Sequence, residues 1–348
     1  MNYSIQHNIF HFKNPSGTSR GVLTEKQAWF ITIWNEENPS VKGIGECSII
    51  EGLSPDYVSN EKYEAAIHLF CETYCKTAEF LEKIEDFPSI KFGLETALLD
   101  LKNGGNGLIF ENDFSINSKK IPINGLIWMG DQAFMEDQIE QKISEGFKTI
   151  KMKVGAIDFE KEISILSSIR SRFSKDELTL RVDANGAFTK ENALEKLTHL
   201  AALDIHSIEQ PIQAGDWETM RKLCKDSPLN IALDEELIGV NQIEDKNKLL
   251  DTIQPPFIIL KPSLHGGIYG TKEWIELAEA KGIEWWMTSA LESNIGLNAI
   301  CQLAAEYTTN LPQGLGTGSL YTNNIESDLC VENGFIFKKK TNQLTDSF

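Results

Sequence analysis

The chain has 348 residues, 41% hydrophobic and 24% charged, a composition that fits a folded globular protein and excludes a disordered one. Its 33 Lys and Arg stand against 51 Asp and Glu, a formal net charge of −18, and such a field repels nucleic acid and anionic membrane surfaces. It leaves room for an anionic small-molecule substrate, because a metal or a lysine pair reverses the sign inside a cleft.

No apolar run reaches the length of a membrane span, and the first residues lack a basic stretch followed by an apolar core. The six cysteines are scattered, with neither a CxxC pair nor zinc-ligand spacing, as in a reducing compartment. The cytoplasm is the expected location.

In chain order, residues 3–12, 28–34 and 41–47 read as strands, with a hairpin over 36–40 and a loop of turn formers over 14–21. Gly43 and Gly45 hint at a dinucleotide fingerprint, but Ser48 stands where the third glycine is needed and no βαβ unit surrounds them. Asn60 is the expected cap of a helix running to about Ile84, and Pro88 opens a second helix that stops at the glycine-rich stretch 103–107. Residues 1–115 therefore read as an α+β unit. From Ile121 the pattern becomes strand–helix alternation, with strands expected at 121–127, 148–153, 178–183, 206–209, 230–234, 257–261, 283–289 and 313–316. Eight strands at this interval point to an α/β fold, a closed TIM barrel over 116–319, with an open doubly wound sheet as the alternative. The tail 320–348 contains short strand patterns that are expected to return to the first unit.

Five charged residues recur at nearly even steps through the barrel: Lys153, Asp183, Glu209, Asp234 and Lys261, spaced 30, 26, 25 and 27 residues apart. Each ends or follows a short β-rich run, the position where a βα-barrel keeps its chemistry. Neighbouring strands lie about 5 Å apart, so Asp183, Glu209 and Asp234 could surround one ion. Three oxygen ligands with room for water and substrate suit Mg²⁺, with Mn²⁺ as a substitute. Lys151 and Lys153 lie two apart on a strand and share a side. With Lys151 one layer beneath, a like charge plus a metal would lower the pKa of Lys153 toward that of a working base. Lys261 faces it from across the barrel. This set suits removal of a proton next to a carboxylate, with the cation stabilising the enediolate that forms.

The runs Lys151-Met152-Lys153, Arg181-Val182-Asp183-Ala184-Asn185-Gly186, Ser207-Ile208-Glu209-Gln210-Pro211, Ala232-Leu233-Asp234-Glu235 and Leu260-Lys261-Pro262 resemble the enolase superfamily, in its muconate-lactonising branch. The first unit then resembles the capping domain of that family, and the barrel its (β/α)7β form. Within the branch, two further regions resemble the o-succinylbenzoate synthase family of menaquinone biosynthesis. One is the cap sequence Gly17-Thr18-Ser19-Arg20-Gly21, continued by Gly45-Glu46-Cys47 and Gly52-Leu53-Ser54-Pro55; the other is Thr288-Ser289-Ala290-Leu291-Glu292-Ser293-Asn294-Ile295-Gly296, with Ala290 and Asn294 as departures.

The resemblance implies a dehydrating lyase. Lys153 would remove the α-proton and help hydroxide leave as water, while Lys261 stabilises the anion from the other side. It further implies that Asn185 orients the metal shell or substrate, that Arg20 gates the site, and that Ser289, Glu292 and Ser293 bind or support the substrate. The same two lysines would also serve an N-succinylamino acid racemase or a dipeptide epimerase. The paired aspartates that dipeptide epimerases use near the last strand are absent between Leu311 and Tyr321. A non-catalytic metal- or partner-binding barrel is the alternative of a different class. His265 reads as a loop polar residue rather than a base, and Trp285 and Trp286 as one inward and one outward strand residue.

Overall fold

The structure is a computed structural model that describes residues 1–18, 21–155 and 157–339. Its first part is an antiparallel sheet of β1 (Asn2–Thr18), β2 (Gly21–Asn35) and β3 (Asn38–Ser48), followed by α1 (Asn60–Thr77), α2 (Pro88–Lys102) and the short α3 (Asp113–Asn117). Strand pairing runs on where a loop was expected over 14–21: after a register shift between His11 and Ser16, Ser16 pairs with Leu23 and Gly17 with Val22. Pro15 lacks an N–H, and an irregular stretch of an edge strand is where a sheet tolerates it. Ser59 rather than Asn60 caps α1, and the helix ends at Thr77 instead of near Ile84 because Ala78 turns left-handed with φ 58°. Helix α2 lies against β3 with almost no space between backbones: a Cβ on Gly45 would sit 1.8 Å from the carbonyl oxygen of Gly93. The paired glycines of β3 therefore serve packing.

The second part alternates strand and helix. It comprises β4 (Ile121–Pro122), β5 (Gly125–Ile127), α4 (Gln132–Ser144), β6 (Thr149–Lys153), α5 (Phe159–Arg172), β7 (Thr179–Asp183), α6 (Ala193–Ala201) and β8 (Ser207–Glu209). It continues with α7 (Trp217–Asp226), β9 (Ile231–Leu233), α8 (Ile243–Ile253), β10 (Phe257–Leu260), α9 (Gly267–Ala280), β11 (Glu284–Met287) and α10 (Asn294–Ala304). Strands β5 to β11 form one parallel sheet in sequence order. Residues 313 and 314 join its two edges: Gln313 bridges Ile123, and Gly314 bridges Thr288, both in the parallel sense. The sheet is thereby a closed barrel, and an open doubly wound sheet is excluded. Only the start of the expected strand 313–316 is extended, since Gly316–Ser319 forms a 3-10 turn. The expected strand 121–127 is split between β4 and β5.

One large apolar cluster fills the layer between sheet and helices, with Ile150, Met152, Leu180, Val182, Ile208, Leu233 and Leu260 facing outward. A smaller one, Ala232, Phe257, Ile259 and Trp286, plugs the barrel interior. Trp286 thus faces in, while Trp285 packs outward edge-on against Tyr307. The tail divides. Lys13 donates to Leu320 and Thr322 to His11, which ties 320–322 to the cap sheet. The following hairpin, β12 (Leu329–Glu332) and β13 (Phe335–Lys338), pairs instead with β4 next to the barrel. Among the described residues no helix is long and apolar enough to cross a membrane.

Candidate active site

Strand alternation aims the charged ladder into the barrel. Ile150 and Met152 fill the outer layer, so Lys151 and Lys153 point inward, and Lys153 stands level with Asp183 as Lys151 does with Arg181. Asp183 pairs in register with Glu209, and Glu209 with Ala232, which puts Asp234 two residues further along its strand. The sequence-expected lysines and carboxylates therefore converge at the C-terminal mouth, and all three carboxylates are buried.

Lys153 Nζ donates to Asp183 Oδ2 at 3.0 Å and to Asn185 Oδ1 at 2.6 Å. Lys151 Nζ reaches Glu209 at 2.6 and 2.7 Å and Asp183 at 3.3 Å. Lys261 Nζ donates to Asp234 Oδ2 at 2.5 Å. Asn185 also donates to Glu235 at 3.0 Å, so it joins the end of β7 to the turn after β9.

Burial alone would lower the Lys151 pKa, but the charges of Glu209 and Asp183 outweigh it and hold the group above its ordinary value. Lys261 is likewise raised, by Asp234 first and then Glu235, against the effect of burial. Burial would raise Asp183; the ammonium groups of Lys153 and Lys151 instead keep it well below the usual carboxylate range. Burial and the Asp183 charge push the Glu209 carboxyl above its ordinary value, with Lys151 opposing.

Several supports of this site escaped sequence reasoning. The side-chain oxygen of Gln210 accepts from the backbone N–H groups of Asp234 and Glu236, while its amide donates to Glu236 and to Ile212. Asn185 and Gln210 have φ of 43° and 36°, and Leu291 in the loop after β11 has 64°. Left-handed backbone at non-glycine residues costs on the order of 1–3 kcal/mol each and clusters at functional sites. Beneath the carboxylates, the Arg181 guanidinium stacks 4.0 Å from the Trp286 ring centre and donates to the Pro312 carbonyl. Their types give a signal only once strand alternation is known.

Above the ladder lies a cleft of about 1000 Å³. Its lining includes Lys151, Lys153, Asp183, Asn185, Lys261 and Ser289 from the barrel, and Leu23, Ile50 and Leu53 from the cap. Ser289 bonds to Thr317 at 2.7 Å, a residue absent from the sequence-derived candidates. Glu292 and Ser293 turn away from the cleft: Glu292 accepts from Ser263 at 2.5 Å, and Ser293 donates to Glu46 of the cap. Arg20 lies outside the described residues. His265 is a loop residue and a buried one, and its Nδ1 accepts from the Lys261 N–H at 2.9 Å. Burial and the charges of Lys261 and Lys246 hold it neutral, well below its ordinary pKa.

Could these carboxylates hold a divalent cation? The donors are all oxygen, buried and on adjacent strands, as a hard cation requires. Asp234 Oδ1 is buried with no hydrogen-bond partner, an acceptor in need of a donor or a cation. Among the described residues no three acidic, His or Cys side chains are drawn around one point as metal ligands would be. Lysine ammonium groups take the carboxylate oxygens instead. The donor set fits a cation that displaces them.

Comparison with known proteins agrees with this layout. Residues 134–341 match the family model described as enolase C-terminal domain-like. An o-succinylbenzoate synthase of Desulfotalea psychrophila is 46% identical, over 97% of this chain and 98% of that one. The crystal structure of MenC from the same organism superposes with a TM-score of 0.81 at 42% identity, covering 97% of this chain and 99% of that one. An N-succinyl-L-Arg/Lys racemase of Bacillus cereus is 24% identical over 82% of this chain and 79% of its own. A capped βα-barrel with lysines on either side of three strand-end carboxylates, and full-length identity of this degree, place the chain in the o-succinylbenzoate synthase family of the enolase superfamily.

Proposed function

We propose that the chain is an o-succinylbenzoate synthase, a hydro-lyase that dehydrates 2-succinyl-6-hydroxy-2,4-cyclohexadiene-1-carboxylate to 2-succinylbenzoate in menaquinone biosynthesis, in the cytoplasm. The observation that carries it is full-length identity of 46% to a protein of that name, against 24% to the racemase. Residues 116–319 would carry the chemistry, and residues 1–115 would close over it.

The site residues then divide the work. Lys153 borders the cleft and takes the α-proton of the substrate, and Asn185 Oδ1 keeps its Nζ aimed. Lys261, on the other side of the mouth, stabilises the negative charge of the enediolate. Lys153 then returns its proton to the departing hydroxyl, which leaves as water, and the ring becomes aromatic. Asp183, Glu209 and Asp234 would hold a divalent cation, Mg²⁺ with Mn²⁺ as a substitute, which would supply positive charge for the substrate carboxylate. Ser289, with Thr317 behind it, is suited to the succinyl arm at the cleft wall.

The experiment is a parallel assay of the purified protein on the cyclohexadiene carboxylate and on N-succinylamino acids, with Mg²⁺ and with a chelator. Dehydration faster than racemisation, and lost with the chelator, is expected. Equal or greater turnover of the N-succinylamino acid would overturn the assignment.

A further inference from the structure

Helix α9 follows the loop that carries Lys261, and it starts without a side-chain cap of its own. The first N–H groups of a helix need acceptors. The intervening sequence, Pro262-Ser263-Leu264-His265-Gly266, offers little: the Ser263 hydroxyl is spent on Glu292. The missing acceptor comes from the other domain. Glu95 of α2, itself buried, accepts the Ile268 N–H through Oε2 at 2.5 Å. Gly267, with φ 75°, makes room for it, since a Cβ there would lie 2.4 Å from Glu95 Oε2.

The same device recurs at the next helix. Glu46 of β3 accepts the Ser293 N–H at 2.9 Å, the Ser293 hydroxyl at 2.6 Å and the Gly296 N–H at 2.9 Å, at the start of α10. Lys26 of β2 adds a third tie, donating to the Ala290 carbonyl at 2.5 Å. The Ser263–Glu292 bond then links the loop after β10 to the loop after β11.

The loop that Glu95 closes is the one that fixes Lys261. The Lys261 N–H donates to His265 Nδ1, and the Lys261 carbonyl accepts from Leu264 at 2.8 Å and His265 at 3.0 Å. Gly267, the first residue of α9, donates to the Pro262 carbonyl at 2.9 Å. A shift at the start of α9 is therefore passed within one turn to the Lys261 backbone.

We propose that Glu95 is a positioning residue for Lys261: by capping α9 from the cap unit it fixes the loop that aims the ammonium group over the cleft, with Glu46 doing the same for the loop that carries Ser289. The catalytic part of this inference rests on the function proposed above. Burial pushes the Glu95 carboxyl up to about 8, against Lys91 and the N–H groups of Ile268 and Tyr269. Its Oε1 has no hydrogen-bond partner and can hold a proton while Oε2 accepts. Glutamine should then replace it, whereas alanine and the shorter aspartate should not.

The test compares Glu95→Ala, Glu95→Gln and Glu95→Asp with wild type in steady-state kinetics and in amide hydrogen exchange of peptides covering 261–270 and 293–297. Misplacement of a reacting group lowers kcat, so the alanine and aspartate variants are expected to lose about tenfold or more in kcat with KM within about threefold. The glutamine variant should stay within about threefold of wild type. Exchange at 261–270 should accelerate in the alanine variant while 293–297 is unchanged. Should alanine prevent folding, the aspartate and glutamine pair decides. Unchanged kcat in the aspartate variant, or unchanged exchange at 261–270 in whichever of the alanine and aspartate variants folds, would overturn the proposal. If wild type itself fails to dehydrate the substrate, the functional reading falls, and the exchange result still decides whether Glu95 fixes the loop.

Discussion

The assignment of Lys153 as the base is open to a sharp test, because two substitutions separate base from charge. Lys153 is buried, with Nζ 3.0 Å from Asp183 and 2.6 Å from Asn185. Alanine removes the amine but does not orphan Asp183, which keeps Lys151 at 3.3 Å. The fold should survive, with thermal melting and circular dichroism close to wild type. Activity should not: a positioned general base is worth roughly 10²- to 10⁴-fold, about 3–5 kcal/mol of barrier. Lys153→Arg keeps the positive charge and can still pair with Asp183, but a guanidinium does not give up its proton near neutrality. It should be as inactive as the alanine variant, with KM changed less than kcat. The assay is dehydration at saturating substrate and Mg²⁺. Arginine activity above about a tenth of wild type would mean that Lys153 acts through its charge alone, and the base assignment would fail.

Three other outcomes are expected. Asp234→Asn should weaken the Mg²⁺-dependent rise in melting temperature, since Asp234 Oδ1 is a buried strand-end carboxylate oxygen without a hydrogen-bond partner; an undiminished shift would place the metal elsewhere. Gly45→Ala would put a Cβ 1.8 Å from the Gly93 carbonyl oxygen and should cost about 3 kcal/mol or more in urea unfolding. Gly52→Ala meets nothing within 4 Å and carries only the strain of φ 76°, about 1 kcal/mol, so equal losses in the two variants would contradict the close approach of β3 and α2. Asp56 tests a pH effect. Burial raises its folded pKa from 3.8 to about 6, although Ser89 opposes the rise. A raised carboxyl favours the fold while protonated, and that contribution is lost as pH climbs from about 4 to about 6, about 3 kcal/mol in all. Asp56→Asn does not ionise, so its stability relative to wild type should improve between pH 5 and pH 8 by about 1 kcal/mol. A difference that is flat with pH would show that Asp56 is not strained by its burial.

Much of this protein is legible in the chain itself. Period-2 and period-3.6 patterns fix the alternation of strand and helix from Ile121 onward, and alternation in turn fixes that Lys151, Lys153 and Asp183 share one side. The ladder of charges at strand ends was visible because a strand and its helix consume a nearly constant length of chain. Local sequence also misled where pairing overrode it: 14–21 reads as a loop, yet β2 supplies partners for residues 16–18 and the strand runs on. The closing strand, read at 313–316, shrinks to the two bridging residues Gln313 and Gly314, because a 3-10 turn takes over at Gly316.

What only the tertiary structure decided is which groups meet. Lys151 belongs with Glu209 rather than simply beneath Lys153; Glu292 and Ser293, read as candidates for binding or supporting the substrate, turn toward Ser263 and the cap; Tyr321 joins the cap sheet while β13 joins β4. Glu95 carries no mark of its role, because its partner is a backbone N–H 173 residues away. Spacing within a strand is set by covalent geometry and is written in the sequence. A contact between domains is set by how whole faces pack, and a single chain does not state it.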